Sequence, residues 1–157
     1  IQRVIFAVYD KADELRLRAN VEEFALATQQ ASKKWLLLDL THAFPEWMAT
    51  QEYRDAYFES PEDLAGYQTG ELTEFVADLT AKLKNRISAE AGPDTVVALM
   101  GVGTLFGLAR VSSVVEAVQG RLLVFFPGEH HPENHTYRLL DARDGWNYLA
   151  VPLLAKD

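Results

Sequence analysis

The sequence predicts an α/β domain in which a mostly parallel sheet of about five strands lies between two layers of helices. Compact apolar runs alternate along the chain with segments that have helical periodicity. The apolar runs are nearly continuous, which is typical of strands covered on both faces. The length of 157 residues fits one domain with a single core. We therefore expect residues 1–157 to form one three-layer α/β/α sandwich.

Five segments have the composition of buried strands, since they are rich in β-branched, aromatic and leucine side chains. They are residues 3–9, 35–40, 95–100, 121–126 and 147–153. Pro152 in the last of these lacks a backbone donor and suits an edge or the end of a strand. Residues 136–141 are expected to form a short strand or a turn.

The segments between these strands have the apolar spacing of helices. Helices are predicted over residues 13–31, 44–58, 71–90 and 104–119, with a short piece beginning at Ser60. Pro45 and Pro61 suit the first turn of a helix, and Thr104 is the expected N-cap of the last one. This alternation of strands and helices predicts parallel neighbours joined by crossover connections.

Composition excludes several classes of function. The chain has no cysteine, which removes disulfide scaffolds, zinc ribbons, iron–sulfur clusters and cysteine nucleophiles. Its formal net charge of −8 disfavours direct binding to a phosphate backbone. The longest apolar stretch, residues 95–109, is too short to span a bilayer, and the first ten residues lack the pattern of a signal peptide. We expect a cytoplasmic protein, and the initial Ile1 indicates a trimmed version of a longer chain.

Three glycines form a turn between a predicted strand and a predicted helix, where backbone N–H groups can hold phosphate. Gly101, Gly103 and Gly107 follow the pattern G-x-G-x-x-x-G, one residue longer than the dinucleotide fingerprint. Leu105 and Phe106 would crowd a pyrophosphate, and the loop holds no cationic residue. A tight turn is the favoured interpretation, and a nucleotide- or nucleic-acid-binding regulator, with Glu129 as the ribose acid, is the alternative. No Walker A motif occurs, so the fold is Rossmann-like or P-loop-like only in architecture.

A loop after the fourth predicted strand holds three of the four histidines. His130, His131 and His135 lie between carboxylates and are weak candidates for zinc or manganese ligands. Because they crowd into one short loop around a proline, without a rigid supporting shell, we favour a solvent-facing loop and predict no metal.

The sequence gives little evidence for a hydrolase. Asp39, Thr41 and His42 follow the second strand, but no G-x-S-x-G nucleophile elbow is present. Ser112 and Ser113 lie inside a predicted helix, which is a poor position for a nucleophile. We therefore predict a protein that is not an enzyme and uses no cofactor.

The helix predicted over residues 44–58 is unusually rich in aromatic side chains. These cover more than one face of the helix, so core packing accounts for only part of them. The remainder would be exposed and typical of a surface that binds another protein. The candidates for partner contact are Trp47, Tyr53, Tyr57 and Phe58.

Four segments taken in order resemble the BrxB family, small components of bacteriophage-exclusion (BREX) systems. The segments read VIFAVYDKADELRLR, VVALMGVGTLFGLARVSSVVEAV, LLVFFPGEH and DGWNYLAVPL. The family pattern falls on Asp10, Glu14, Arg16, residues 101–104, Arg110, residues 126–129, Asn147 and Tyr148. Two departures are the missing basic residue after Tyr148 and the histidine-rich stretch 130–136. Family members usually have a further helix before the first strand.

The resemblance implies a non-catalytic part of an antiphage defence complex. Such a protein is found beside a PglZ-type phosphatase-fold protein, a DNA methyltransferase and a large ATPase. The implied role is an adaptor that docks a larger subunit, with the PglZ-type protein favoured and DNA contacted only through the complex. The resemblance adds Arg110, Asn147 and Tyr148 to the partner-binding candidates. A possible ligand rim comprises Gly101, Gly103, Thr104, Gly128 and Glu129.

Overall fold

The computed structural model describes residues 4–62, 72–118, 121–140, 142–143 and 150–154. Its strands are β1 (Val4–Tyr9), β2 (Lys34–Asp39), β3 (Thr95–Met100), β4 (Leu122–His131), β5 (Thr136–Leu139), β6 (Ala142–Arg143) and β7 (Ala150–Leu154). Its helices include α1 (Glu14–Gln30), α2 (Ala43–Ala49), α3 (Arg54–Glu59), α4 (Thr73–Glu90) and α5 (Val111–Val118). Short 3-10 turns occupy Lys11–Asp13 and Val102–Leu105.

Five strands form the central sheet in the order β2-β3-β4-β1-β7, and every neighbouring pair is parallel. Beyond the end of this sheet, β5 pairs antiparallel with the second half of β4, and β6 pairs with β5. Pro152 falls in β7, at one edge of the sheet, as the sequence predicted. The parallel arrangement confirms the predicted fold class.

Helices cover both faces of the sheet because the crossover connections run in two directions. The chain moves from β1 across the sheet to β2 and then returns through β3 and β4, so right-handed connections place α1 on one face and the later helices on the other. On the first face, Val21 of α1 packs with Ala98, Met100 and Phe125 of the sheet. On the second face, residues of α2, α4 and α5 form a larger cluster around Phe6, Leu99, Val124 and Phe126. These two clusters make the three layers.

The helix predicted over residues 44–58 is wrong as one unit, because the structure divides it into α2 and α3. At the end of α2, the Thr50 hydroxyl and the Gln51 side-chain amide both donate to the carbonyl oxygen of Trp47, at 2.7 and 3.2 Å. Side chains that bond to the last carbonyl groups of a helix satisfy acceptors that further helical turns would otherwise take. The chain then turns before α3 begins.

The helix predicted from Thr104 begins seven residues later, at Val111. Gly101 and Gly107 have φ values of +77° and +76°, and the segment between them forms a 3-10 turn and a second turn. This left-handed conformation interrupts a helix, since it reverses the local twist of the backbone. Thr104 is therefore not the N-cap of α5, which corrects that prediction.

The polar loop predicted after residue 126 is mostly a β-hairpin. Strand β4 continues to His131, and residues 128–131 pair with β5. The side chains of Tyr137 and Leu139 in β5 are buried, so the hairpin packs on the main core. Of the last predicted strand, residues 150–153 are confirmed within β7, and residues 147–149 lie outside the described part of the chain.

Candidate functional site

A crevice of about 350 Å³ opens at the carboxyl ends of the parallel strands. It lies between the ends of β1 and β4, where α1 after β1 packs on one face of the sheet and Tyr137 and Leu139 of β5 after β4 pack with the cluster on the other. Such a switch point is the usual ligand site of an open α/β sheet. The charged side chains in its wall are Lys11, Glu14 and Arg18, and the turn at Gly101 and Gly103 forms another part.

The guanidinium group of Arg18 is the centre of a polar network beside this crevice. Its Nε atom lies 2.8 Å from Glu14 Oε1, and its Nη2 donates to Thr41 Oγ1 at 2.8 Å. A third contact joins Nη1 to Asp39 Oδ2 at 3.5 Å. Arg18 thus ties α1 to the loop after β2, and two carboxylates offset its charge.

Tyr9 extends the same network from the end of β1. Its hydroxyl group donates to the Glu14 carboxylate. Burial raises the pKa of Tyr9 far above its ordinary value, and the hydrogen bond to Glu14 raises it further. The phenol therefore stays protonated over the physiological range, where it acts as a donor.

Gly101 permits β3 to end directly against the loop after β2. A Cβ atom at this position would lie 2.7 Å from Asp39 Oδ1, from the Thr41 amide nitrogen and from Thr41 Oγ1. The Thr41 amide donates to Asp39 Oδ1 at 3.0 Å, which closes the loop that Gly101 contacts. Gly101 has a packing role, and no side chain fits here without moving this loop.

The turn after Gly101 is held by hydrogen bonds between its own backbone groups. The amide groups of Thr104 and Phe106 donate to the carbonyl oxygens of Gly101 and Gly103, both at 3.1 Å. The Thr104 hydroxyl lies 3.1 Å from the Leu40 carbonyl oxygen and 2.8 Å from that of Gly101. These amides are directed into the turn, which is consistent with the tight turn favoured from the sequence.

The other half of the predicted rim belongs to the hairpin. Gly128 pairs with Leu139, and a Cβ atom on it would lie 1.9 Å from the Arg138 carbonyl oxygen. Glu129 lies opposite Arg138 on the next strand. Pro127 lines the crevice, whereas Gly128 and Glu129 are absent from its wall. Pro127 lies beside Gly103, where a Cβ atom would be 3.3 Å from the proline ring, and the strand then continues past the crevice into the hairpin. The shared rim of Gly103 with Gly128 and Glu129 stays a prediction.

The three histidines lie on or beside the hairpin. His131 is held between two carboxylates, with Nε2 3.3 Å from Glu129 Oε2 and Nδ1 3.2 Å from Glu133 Oε1. The His130 ring lies 4.8 Å from the Tyr137 ring, and burial, followed by the nearby charge of His135, lowers the pKa of His130. Within the described ranges, no group of three or more His, Asp or Glu side chains is arranged to hold a metal ion.

The aromatic candidates divide into buried and exposed side chains. Trp47 is only 7% exposed, its Nε1 donates to Asp78 Oδ2 at 2.9 Å, and its ring centroid lies 5.5 Å from that of Phe75. It packs in the core and presents little surface to solvent, which corrects the expectation of an exposed contact residue at this position. Tyr53 and Phe58 are 72% and 71% exposed.

The remaining partner candidates lie elsewhere in the chain. Tyr57 is partly buried against the larger core cluster, and Arg110 is exposed just before α5. Asn147 and Tyr148 lie outside the described residues.

The sequence reasoning missed Arg18, which joins three elements of the network. The available signal was its position four residues after Glu14, a spacing at which helical side chains meet. The partners Asp39 and Thr41 come from the far side of a crossover, and no local pattern relates them to Arg18.

Comparisons with known proteins found no match. No family model, no curated protein and no solved structure matches this chain. Among the helices that the structure describes, none is long and apolar enough to cross a membrane.

Proposed function

We propose that this chain is a non-catalytic adaptor of a BREX-type antiphage defence complex, located in the cytoplasm, that docks a larger subunit such as a PglZ-type protein. The observation that carries the proposal is the pair of exposed aromatic side chains on α3 and just before it. Tyr53 and Phe58 leave more than two thirds of their surface in contact with solvent. Large exposed aromatic side chains are enriched at protein interfaces and among the residues that dominate binding energy.

The short helix α3 is suited to present these side chains. Tyr57 packs against the core cluster and anchors the helix, while Tyr53 and Phe58 point away from that contact into solvent. An anchored helix loses little conformational entropy on binding, and aromatic rings bury a large area for few rotatable bonds. Each ring that a partner covers fully is expected to contribute about 2 kcal/mol or more to binding.

The chemistry of the crevice also supports an adaptor. Glu14 and Asp39 already engage Arg18, and Tyr9 is protonated and bonded to Glu14. These contacts join β1, α1 and the loop after β2 into one unit. Their evident physical effect is to stiffen the sheet end, which favours a rigid scaffold.

Co-purification with a PglZ-type subunit tests the proposal. The 157-residue chain is co-expressed with that subunit, and a double variant Tyr53→Ala and Phe58→Ala is compared with the unchanged protein. We expect retention of the double variant to fall at least tenfold, which corresponds to about 1.4 kcal/mol. Its thermal midpoint should stay close to that of the unchanged protein, because both side chains are exposed.

The matched control is Leu15→Ala. Leu15 is 81% exposed and belongs to α1, which covers the opposite face of the sheet from α3. This variant should retain the subunit fully. If the unchanged chain fails to retain any PglZ-type subunit, the adaptor proposal is wrong. If the double variant retains the subunit as well as the unchanged chain does, the docking surface lies elsewhere.

The crevice favours one second candidate, a nucleotide-binding regulator. Its volume is in the range of small-molecule sites, and Lys11 lies in its wall. Against it, a polyphosphate would also meet the Glu14 carboxylate, and the charge of Arg18 is already offset by Glu14 and Asp39. Micromolar binding of a nucleotide by calorimetry, lost on changing Gly103 to Val, would support this candidate in place of the adaptor.

A further inference from the structure

One edge of the sheet, at β2, has backbone groups for which the described residues form no strand pairing. The amides of Lys34 and Leu40 donate to the carbonyl oxygens of Asp94 and Met100, on the side of β3. The even-numbered residues of β2 therefore direct their N–H and C=O groups toward β3. The N–H and C=O groups of Trp35, Leu37 and Asp39 point the other way, out from the edge of the sheet. Among the described strands, none pairs with β2 on that side.

The middle of this edge carries none of the proline, bulge or charge that commonly protects edge strands. The other edge strand, β7, contains Pro152, which removes a donor. In β2, by contrast, residues 35–38 are Trp-Leu-Leu-Leu without proline, glycine or charge. Such an edge is a template for another strand.

A groove of about 250 Å³ runs beside the same edge on the face covered by α2 and α4. Its floor includes Leu38, Trp47 and Phe75. Carboxylates of Glu46 and Asp78 line it together with two cations further along α4. A strand added to β2 would direct every second side chain toward this groove.

Charge is distributed unequally along the edge. Near the carboxyl end of β2, the carboxylates of Glu46 and Asp78 line the groove, and that of Asp39 lies beside Arg18. Lys82 and Arg86 line the groove further along α4, and Lys33 and Lys34 lie at the amino end of β2. Two ion pairs are formed there, Lys34 with Asp94 and Arg86 with Glu90. The best occupant is thus a strand that is basic at one end, apolar in the middle and acidic at the other.

We propose that β2 pairs with β2 of a second copy of this chain, antiparallel about a two-fold axis at Leu36. The sequence KKWLLLD, residues 33–39, has the required order of charges. In this register Trp35 of one copy lies opposite Leu37 of the other, and their outward N–H and C=O groups bond. Lys33 lies opposite Asp39. The pairing joins the two central sheets into one continuous sheet across the dimer.

In the same register, a side chain of the second copy reaches the groove. Lys34 lies opposite Leu38 of the second copy, on the face of the sheet where Leu38 lines the groove. Its long side chain can cover apolar surface there while its ammonium group reaches the Glu46 and Asp78 carboxylates. The net charge of −8 on each copy opposes association, but at physiological salt charges more than about 8 Å apart are largely screened. The complementary charges at the edge therefore dominate.

Analytical ultracentrifugation of the 157-residue chain tests this inference independently of the proposed function. The unchanged chain should sediment as a dimer of twice the 17.6 kDa chain mass at micromolar concentration. Lys34→Glu and Glu46→Lys should each raise the dimer dissociation constant at least tenfold, because like charges then meet at both symmetric contacts. An equimolar mixture of the two variants should restore the dimer, because in the mixed pair a carboxylate faces an ammonium group at both contacts between positions 34 and 46.

Both substitutions are designed to leave the fold intact. Lys34 and Glu46 are exposed, and the ion pair from Lys34 to Asp94 is long, at 4.0 Å, and solvent-accessible. Circular dichroism melting checks this. An unchanged chain that stays monomeric up to about 100 μM, a concentration at which even weak specific association is detected, would overturn the proposal. So would a dimer that both variants leave intact, or variants whose mixture remains monomeric.

Discussion

Replacing Gly101 with alanine tests whether the end of β3 is packed as closely as the structure shows. The substitution adds one methyl group to a residue with a φ of +77°, 2.7 Å from two atoms of Thr41 and from Asp39 Oδ1. One of these atoms is the Thr41 backbone nitrogen, which cannot turn aside as a flexible side chain can. The loop after β2 must therefore shift.

The expected cost has two parts. A residue with a Cβ atom in the left-handed region loses about 1–2 kcal/mol relative to glycine. Displacing Thr41 also weakens its hydrogen bond to Asp39, now 3.0 Å, and we expect a further loss of about 1–2 kcal/mol. The free energy of unfolding should thus fall by about 2–4 kcal/mol in total.

Gly107→Ala is the matched control. Gly107 has nearly the same φ, +76°, but a Cβ atom there has no neighbour within 4 Å. This variant should lose only the conformational part, about 1–2 kcal/mol. The difference between the two losses in unfolding free energy therefore measures the cost of the close approach of β3 to the loop.

Guanidinium denaturation followed by tryptophan fluorescence measures both losses, with equal m-values as the check that the unfolding reaction is the same. In thermal melts, Gly101→Ala should unfold about 2–8 °C below Gly107→Ala, given about 2–4 °C per kcal/mol for a chain of this size. Equal destabilisation of the two variants would refute the reasoning, because the contact at Gly101 would then have no energetic consequence.

Two further outcomes follow from burial and from the pKa of Tyr9. Trp47→Ala should destabilise the fold by about 3–5 kcal/mol in the same denaturation assay, whereas Tyr53→Ala should change it by less than about 0.5 kcal/mol. Because the pKa of Tyr9 is higher in the folded chain than its ordinary value of 10.0, its contribution to stability is complete below pH 10 and is lost as the pH rises further. The loss approaches about 1.4 kcal/mol per pH unit. In Tyr9→Phe this slope between about pH 10 and 11 should be smaller, and an unchanged slope would contradict burial of the phenol beside Glu14.

The sequence by itself predicted the order of the strands and helices. Runs such as residues 95–100 consist of apolar and β-branched residues, and their composition identifies strands locally. Pro152 likewise indicated an edge strand from its missing donor alone. The three-layer fold follows from this order because connections between parallel strands are right-handed.

Local sequence patterns predicted the secondary structure less well where two elements meet. The helix predicted from Thr104 was wrong because the glycines on either side adopt positive φ, and the propensity of the intervening residues does not report that. The histidine-rich loop was mostly strand because pairing with β5 and burial of Tyr137 outweigh the polarity of His130 and His131. Tertiary contacts decide such segments.

Only the tertiary structure separated Trp47 from Tyr53, which the sequence treated as equivalent aromatic residues. α2 packs its face against α4, whereas Tyr53 falls in the turn before α3 and faces solvent. The Arg18 network depends on the fold in the same way, since β1, α1 and the loop after β2 become neighbours only when β1 and β2 enter one sheet. Composition and periodicity are properties of neighbouring residues, whereas a contact between residues 18 and 41 depends on how the whole sheet is ordered.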